Sequence, residues 1–256
     1  FTHYADTMNA TGKDYCLLEE FIEGTMLGCE AMLSKGKLLY CLPNNIENYP
    51  AHVPTPIGHS VPYKKQDILG EEVQKQVLLA IQALGMDNCP VNCDLMEKDG
   101  KIYVIEITGR AGGNCLPEMV GIYYGIDYYE AIVRLAMDMQ AEELFQDQKN
   151  RFQNAAQRKC GERPENTDGN LNRVTPNLSH ILTSDRDGIL KAIHNDNEAS
   201  PDLLDLSFNV EPGEEIRHYE NGRDRLGQVI ICGETLDACE QRLNEVLSKL
   251  NIEFIS

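Results

Sequence analysis

The sequence predicts an α+β fold in which an antiparallel sheet with flanking helices is followed by a small α+β C-terminal unit. Two observations lead to this prediction. Apolar runs at 28–33 and 38–42, separated by a Ser-Lys-Gly-Lys turn, indicate neighbouring antiparallel strands. The stretch 91–113 indicates a hairpin, because an Asp-Gly pair lies between two apolar-rich runs.

Helices are predicted where apolar residues recur at helical spacing. The segment 67–85 shows this spacing, with Asp67 placed to cap its start and Gly85 to end it. Two further helices are expected at 116–124 and 128–137. They flank a Gly-Ile-Asp turn and are rich in tyrosines, which we expect to pack in the core.

Two segments lack such periodicity. Residues 44–62 contain four prolines and two histidines, which predicts a long loop. Residues 141–174 are polar and predict a mobile link. The chain is therefore divided into 1–140, 141–174 and 175–256. In the last part, strands are expected at 179–183, 203–208, 228–232 and 252–255, with a helix at 235–250.

Composition excludes several classes of partner. The net charge of −18 and the pI of about 4.7 argue against a general binder of nucleic acid or of anionic membranes. No apolar run approaches the length of a transmembrane helix. The nine cysteines are irregularly spaced and no secretory signal precedes them, which predicts reduced thiols and a cytoplasmic protein.

Two acids of the hairpin, Asp94 and Glu106, are the first candidates for chemistry. Strand alternation in 101–107 places Glu106 and Thr108 on the face of Ile102 and Val104. A two-residue turn would put the two acids on opposite faces of the hairpin. A three-residue loop would put them directly across from each other, with Cβ atoms about 4.5–5.5 Å apart.

Opposed carboxylates repel each other, and a hard divalent cation such as Mg²⁺ would remove the repulsion. The alternative is a solvated hairpin face on which Asp94 and Glu106 have no joint role. A second candidate, His59, lies in the predicted loop 44–62 and is a possible substrate ligand, although loop histidines are more often solvated.

The segment EEFIEG at 19–24, the strands and helix after it, and DLMEKDGKIYVIEITGRAGG at 94–113 together resemble the C-terminal half of an ATP-grasp domain. The nearest branch contains carbamoyl-phosphate-synthase-like enzymes and carboxylate–amine (amino-acid) ligases. The tail that includes 222–243 resembles their small C-terminal unit. In this reading residues 1–140 are the C-terminal part of the ATP-grasp domain.

The resemblance implies ATP and Mg²⁺ as cofactors, with Mn²⁺ as a possible substitute, and a small-molecule carboxylate and an amine as substrates. It assigns Asp94, Glu106 and Thr108 to the metal and Arg110 to the phosphate or acyl-phosphate. The family usually has Asn at the position of Thr108, and Met26 falls where an acid commonly holds the ribose. The residues assigned to the adenine of ATP are Glu19, Glu20, Phe21 and Ile22.

Two further expectations follow from the resemblance. The glycine-rich phosphate loop of the family would lie before residue 1. The apolar residues from Phe1 onward have the spacing of an amphipathic helix that starts partway along its length, so the chain is expected to be a fragment. The alternative to a ligase is a degenerate nucleotide-binding module, in which Met26 and Thr108 mark lost chemistry. An unrelated α+β domain is a third reading.

Overall fold

The computed structural model describes Gly12, Tyr15 and residues 18–50, 55–146 and 174–255. Within these residues the chain forms eleven strands and five helices. The elements are β1 (Thr25–Ser34), β2 (Lys37–Tyr49), β3 (Thr55–Val61), α1 (Gln66–Leu84), β4 (Pro90–Lys98), β5 (Lys101–Thr108), α2 (Leu116–Tyr124), α3 (Tyr128–Ala136), α4 (Glu143–Gln146), β6 (Asn177–Leu182), β7 (Gly188–Asn195), β8 (Leu203–Phe208), β9 (Glu215–Ile216), β10 (Gly227–Cys232), α5 (Leu236–Ser248) and β11 (Leu250–Phe254).

Eight strands form one antiparallel sheet in the order β5-β4-β1-β2-β3-β6-β10-β8, and a second sheet has the order β11-β7-β9. The pairing of β3 with β6 continues the large sheet from the first half of the chain into the part after residue 174. The large sheet therefore crosses the predicted boundaries at 140 and 175. The division into domains stays a prediction. The N-terminal helix and most of the predicted mobile link fall outside the described residues.

Helices cover both faces of the large sheet. One face of β1, β4 and β5 packs on α1 and is built from apolar side chains, and we call it the apolar face. The opposite face is covered by α2 and α3 at one end, where Met32, Tyr40 and Leu42 join a tyrosine-rich core. At its other end this opposite face carries polar residues, among them Glu30, Asp94 and Glu106, and we call it the polar face. A third core lies between α5 and the strands of the C-terminal part.

The expectation of a long loop at 44–62 is wrong. Strand β2 continues to Tyr49 and β3 occupies Thr55–Val61, so most of this stretch belongs to the sheet. Its polar residues fasten the strands together. The side-chain amide of Asn45 donates to the carbonyl oxygens of Ser60 and Pro62, each at 3.0 Å. Tertiary pairing thus overrides a composition that is typical of loops.

The predicted helices are present with small corrections. Helix α1 ends at Gly85, whose φ of 64° is the left-handed conformation expected of a glycine C-cap. Its N-cap is Lys65, not Asp67, which lies in the first turn. Two of the apolar residues with helical spacing, Ile68 and Leu84, are 80% and 61% exposed, whereas Leu69 is buried.

Helices α2 and α3 confirm the two helices expected around the Gly-Ile-Asp turn. Asp127 caps α3 by accepting a hydrogen bond from the Glu130 N–H at 2.9 Å. Helix α5 begins after Thr235, whose hydroxyl accepts from the Ala238 N–H at 3.1 Å. Strands β7 and β9 were not predicted. They have few fully buried residues, so their sequences show little alternation.

Candidate active site

The hairpin of β4 and β5 places Asp94 directly opposite Glu106. Its turn has only two residues, Asp99 and Gly100, with φ values of 52° and 76°. Both angles are positive, as in the tight turns that suit twisted hairpins. The register then shifts between Asp94 and Leu95, because β5 has one extra residue there. This β-bulge, and not a longer loop, aligns the two acids.

The bulge also changes which residues share a face. Ile102, Val104 and Ile107 all pack against the apolar core beneath α1. The expectation that Glu106 and Thr108 share the face of Ile102 and Val104 is therefore wrong. Ile105 takes up the change of phase, and Glu106 and Thr108 point away from the apolar face. The bulge thus keeps carboxylates out of a core where their burial would be costly.

Asp94 and Glu106 interact electrostatically on the polar face. The pKa of Asp94 is raised by partial burial and by the negative charge of Glu106, and it is lowered by the nearby Arg110. The two acids are therefore close enough to repel, and a cation at this position would stabilise both ionised forms. Two opposed carboxylates with a hydroxyl nearby form an oxygen-donor set of the kind that Mg²⁺ prefers.

Among the described residues, no group of three or more His, Cys, Asp or Glu is arranged to hold a metal. Two carboxylates alone do not complete the coordination shell of Mg²⁺. This ion commonly binds through one or two carboxylates and completes its shell with substrate phosphates and water. The donor set of Asp94 and Glu106 thus fits a metal that arrives with a phosphorylated ligand.

Thr108 and Arg110 follow Glu106 on the same chain. Thr108 lies opposite Asn92 in the sheet, and its hydroxyl donates a long hydrogen bond of 3.4 Å to the Asn92 carbonyl. Arg110 is exposed, and its Nη1 donates to the Ala111 carbonyl at 2.7 Å. Its guanidinium influences the pKa of Asp94, which places the positive charge beside the acidic pair.

Glu30 and its partner Asn92 lie on the polar face and were missed by the sequence interpretation. Glu30 is fully buried on β1, opposite Asn92 on β4. Its Oε1 accepts a hydrogen bond from the Asn92 side chain at 2.7 Å. Burial raises the pKa of Glu30 to about 8. A lone acid in the apolar run of β1 was the available signal, because such an acid needs a partner.

His59 lies on β3 and not in a loop. It is 7% exposed, its Nδ1 is 2.9 Å from Asn44 Oδ1, and burial lowers its pKa to about 4. Asn44 is the sheet neighbour of Gly28, and Gly28 is the neighbour of Asp94. A polar row therefore leads across the sheet from the acidic pair to His59.

Gly28 lies in the middle of this row, directly beneath the side chain of Asn44. A Cβ on Gly28 would lie 2.6 Å from Asn44 Oδ1, so the amide of Asn44 fills the space above the glycine. Asn44 Nδ2 is buried and has no hydrogen-bond partner among the described residues. Sequence alone did not single out Asn44, because its role depends on three strands.

The segment predicted to contact adenine is described but irregular. Residues 18–23 form no strand or helix. Glu19, Glu20 and Phe21 are exposed, and Ile22 is only partly buried. Phe21 exposes 86% of its surface. Its assignment to adenine stays a prediction.

Cys115, which follows the glycine pair, is not suited to nucleophilic attack. It is buried, and desolvation raises its pKa to about 12, so the thiolate is scarce at neutral pH.

No helix of the described chain is long and apolar enough to cross a membrane.

Known proteins resemble this chain in its C-terminal part and in its fold. Residues 180–254 match the family model of the L-amino acid ligase C-terminal domain 2. None of the curated proteins compared with the chain matches it significantly. The crystal structure of phosphoribosylglycinamide synthetase from Anaerococcus prevotii is 36% identical and covers 98% of this chain, with a TM-score of 0.80.

Two solved structures of lower identity share the fold. The L-amino acid ligase from Bacillus licheniformis is 18% identical over 92% of this chain, with a TM-score of 0.69. The biotin carboxylase domain of the Hydrogenobacter thermophilus 2-oxoglutarate carboxylase, solved with MgADP, ADP and bicarbonate, is 14% identical over 100% of this chain, with a TM-score of 0.65.

The chain spans only part of each of these proteins: 59% of the synthetase, 53% of the ligase and 52% of the biotin carboxylase domain. The mostly antiparallel architecture, the family model in the C-terminal part and the three structural neighbours agree with the resemblance seen in the sequence. The chain has the fold of ATP-grasp ligases, and its C-terminal part matches the L-amino acid ligase family model.

Proposed function

We propose that the chain carries the metal and acyl-phosphate part of an ATP- and Mg²⁺-dependent carboxylate–amine ligase. One observation carries this proposal: the bulged hairpin that sets Asp94 against Glu106, with Thr108 and Arg110 directly after them. The phosphoribosylglycinamide synthetase and the L-amino acid ligase are ligases by name, which supports the same class of reaction.

Asp94 and Glu106 would hold Mg²⁺, and Mn²⁺ would be accepted by the same oxygen ligands. When bound, the ion would neutralise the negative charge of the phosphates of ATP. Thr108 adds a hydroxyl that can ligate or donate a hydrogen bond. The repulsion that raises the pKa of Asp94 is removed once a cation lies between the two carboxylates.

Arg110 would hold the phosphoryl group during transfer. Attack of the substrate carboxylate on the γ-phosphate of ATP would form the acyl phosphate as the bond to the β-phosphate breaks and ADP leaves. Charge builds on the phosphoryl oxygens during this transfer, and a fixed guanidinium next to them would lower the barrier. The amine then attacks the carbonyl carbon of the acyl phosphate, which forms the amide and releases inorganic phosphate. The site must exclude water during this interval, because the acyl phosphate otherwise hydrolyses.

His59 is the candidate for substrate contact. Its pKa of about 4 keeps the imidazole neutral at pH 7, so it can donate or accept a hydrogen bond but not supply a positive charge. Residues 19–22 would meet adenine, and the exposure of Phe21 leaves an apolar surface for a flat ligand. Cytoplasmic localisation completes the proposal.

The test is a phosphate-release screen on the full-length protein with ATP, Mg²⁺ and pairs of small carboxylates and amines. Release that requires both substrates, together with formation of the amide, supports the ligase. Glu106→Gln is the control, and turnover equal to that of the wild type would contradict the metal assignment. Binding of ATP without turnover of any pair would favour the degenerate nucleotide-binding module.

A further inference from the structure

Glu30 is a buried carboxyl that the proposed mechanism does not use. It is fully inaccessible on β1, and both of its oxygens are occupied. Oε1 accepts from Asn92 Nδ2 at 2.7 Å, and Oε2 accepts from the Gly112 N–H at 3.1 Å. The second bond joins residues 82 positions apart, so it ties the middle of β1 to the loop after β5.

Gly112 fits against Glu30 because it lacks a side chain. A Cβ at this position would lie 2.6 Å from Glu30 Oε1 and 2.5 Å from Leu116 Cδ1. At Gly113 a Cβ would meet no atom within 4 Å. The two glycines therefore differ: Gly112 is packed into the protein, and Gly113 faces open space.

The far end of the same loop is held independently. Asn114 accepts a hydrogen bond from Ser179 Oγ at its carbonyl, at 2.8 Å, and from Arg225 Nη2 at its side-chain oxygen, also at 2.8 Å. Its own amide donates to the Pro56 carbonyl at 3.3 Å. The segment from Arg110 to Asn114 is thus attached at Gly112 and at Asn114.

The position of Glu30 connects this loop to the acidic pair. Its sheet partner Asn92 lies two residues before Asp94, and the charges of Asp94 and Arg110 both act on Glu30. Burial disfavours the charged form of Glu30, whereas the hydrogen bonds from Gly112 and Asn92 and the charge of Arg110 favour it.

We propose that Glu30 is a positioning residue, which holds Gly112 so that Arg110 and Gly113 take their places beside the Asp94–Glu106 pair. This inference rests on the proposed function, because Arg110 is the group that Glu30 positions. A small displacement of such a group is costly in rate, since about 1 Å can lower catalysis about 100-fold. The binding of metal at Asp94 and Glu106 needs no contact with Glu30.

The experiment compares Glu30→Gln with Glu97→Gln in the full-length protein. Glu97 is a matched control, because it is also buried and also accepts from a glycine N–H, that of Gly100, at 3.0 Å. It lies at the other end of the hairpin and binds Lys65. Glutamine retains the shape of glutamate but loses one of the two accepting oxygens.

We expect Glu30→Gln to lower kcat by about tenfold or more and to speed amide hydrogen exchange in 110–114. The affinity for Mn²⁺ should change by less than about threefold, because both metal ligands remain. Glu97→Gln should leave kcat and the exchange of 110–114 as in the wild type.

Three results would overturn the inference. Faster exchange with unchanged kcat would make Glu30 a structural residue only. A loss of Mn²⁺ affinity as large as that of Glu106→Gln would place it in the metal site. Unchanged exchange and kcat would remove any role. Wild-type protein without turnover would instead refute the proposed function. If Glu106→Gln loses turnover and Glu30→Gln does not, the proposed function stands and the role of Glu30 is refuted.

Discussion

The two faces of the β1–β4–β5 sheet differ although the same strands build them. On the apolar face, residues such as Leu27, Leu95 and Ile102 are buried beneath α1. On the polar face, Asp94 is paired with Glu106, and Glu30 lies on the next strand opposite Asn92, two residues from Asp94. Alternation along each strand separates the residues that stabilise the fold from those that offer chemistry.

The comparison shows that this separation is not automatic in β5. Regular alternation from Ile102 would carry Glu106 into the apolar core and Ile107 out of it. The bulge at Ile105 reverses the order in which side chains alternate between the two faces. Strand β5 therefore places Ile107 on the apolar face and Glu106 on the polar face. Glu30 lies where the polar face meets the core under α2, and of the three acids it alone is fully buried.

The sharpest test of the comparison uses two adjacent residues of β4, beginning with Asp94. Asp94→Asn should lower ATP turnover by at least about 100-fold, because a metal ligand is lost. Its free energy of unfolding should stay the same or rise slightly, since a repulsion with Glu106 disappears. Steady-state kinetics and urea unfolding measure the two effects. A variant with near-normal turnover would contradict the division between the faces.

Leu95→Ala should do the opposite. Leu95 is fully buried in the apolar face, so the truncation should lower the free energy of unfolding by about 2–5 kcal/mol. The kcat of the folded fraction should remain within about threefold of the wild type, because the polar face keeps its residues. A large loss of kcat in fully folded protein would show that the faces are not independent.

The polar row has a cost in stability that depends on pH. The pKa of His59 is about 4 in the folded protein and 6.5 when unperturbed. Between these values the unfolded chain binds a proton that the folded chain does not, so stability falls as the pH drops from about 6.5 to 4. The loss at pH 4.5 is about 2–3 kcal/mol.

Urea unfolding at pH 7 and pH 4.5 measures this loss. His59→Gln, which keeps a polar group beside Asn44 but does not titrate, should show a smaller loss by that amount. Equal losses in the variant and the wild type would mean that His59 is not buried as a neutral imidazole.

The smallest effect is expected from deletion of Ile105. Without this residue the two-residue turn alone would bring Asp94 opposite Glu106, and Ile107 would still point to the apolar face. Mn²⁺ affinity and turnover should stay within about tenfold of the wild type. A loss as large as that of Asp94→Asn would show that the bulge has a role beyond alignment.

Much of the local structure could be predicted. Gly85, Thr235 and the Gly-Ile-Asp turn mark helix ends through backbone preferences of the residues themselves. Local signals of this kind act within a few residues, so they survive without knowledge of the rest of the chain. The superfamily and the candidate pair Asp94 and Glu106 were also within reach of the sequence, because short motifs carry them.

The stretch from Asn44 to His59 shows where such prediction ends. Its polar composition is typical of a loop, yet these residues lie in strands. The side chain of Asn45 donates a hydrogen bond to β3, and that of Asn44 covers Gly28. These contacts join residues that are distant in sequence, and no local preference encodes them.

The sequence by itself determined that two acids, an arginine and a glycine pair occur together in a hairpin of an acidic α+β protein. Only the tertiary structure decided that the acids face each other, through a bulge in a strand and not through the turn. It also decided that Glu30 holds Gly112 across 82 positions. Both outcomes depend on sheet register and burial, which arise only when the strands pack together.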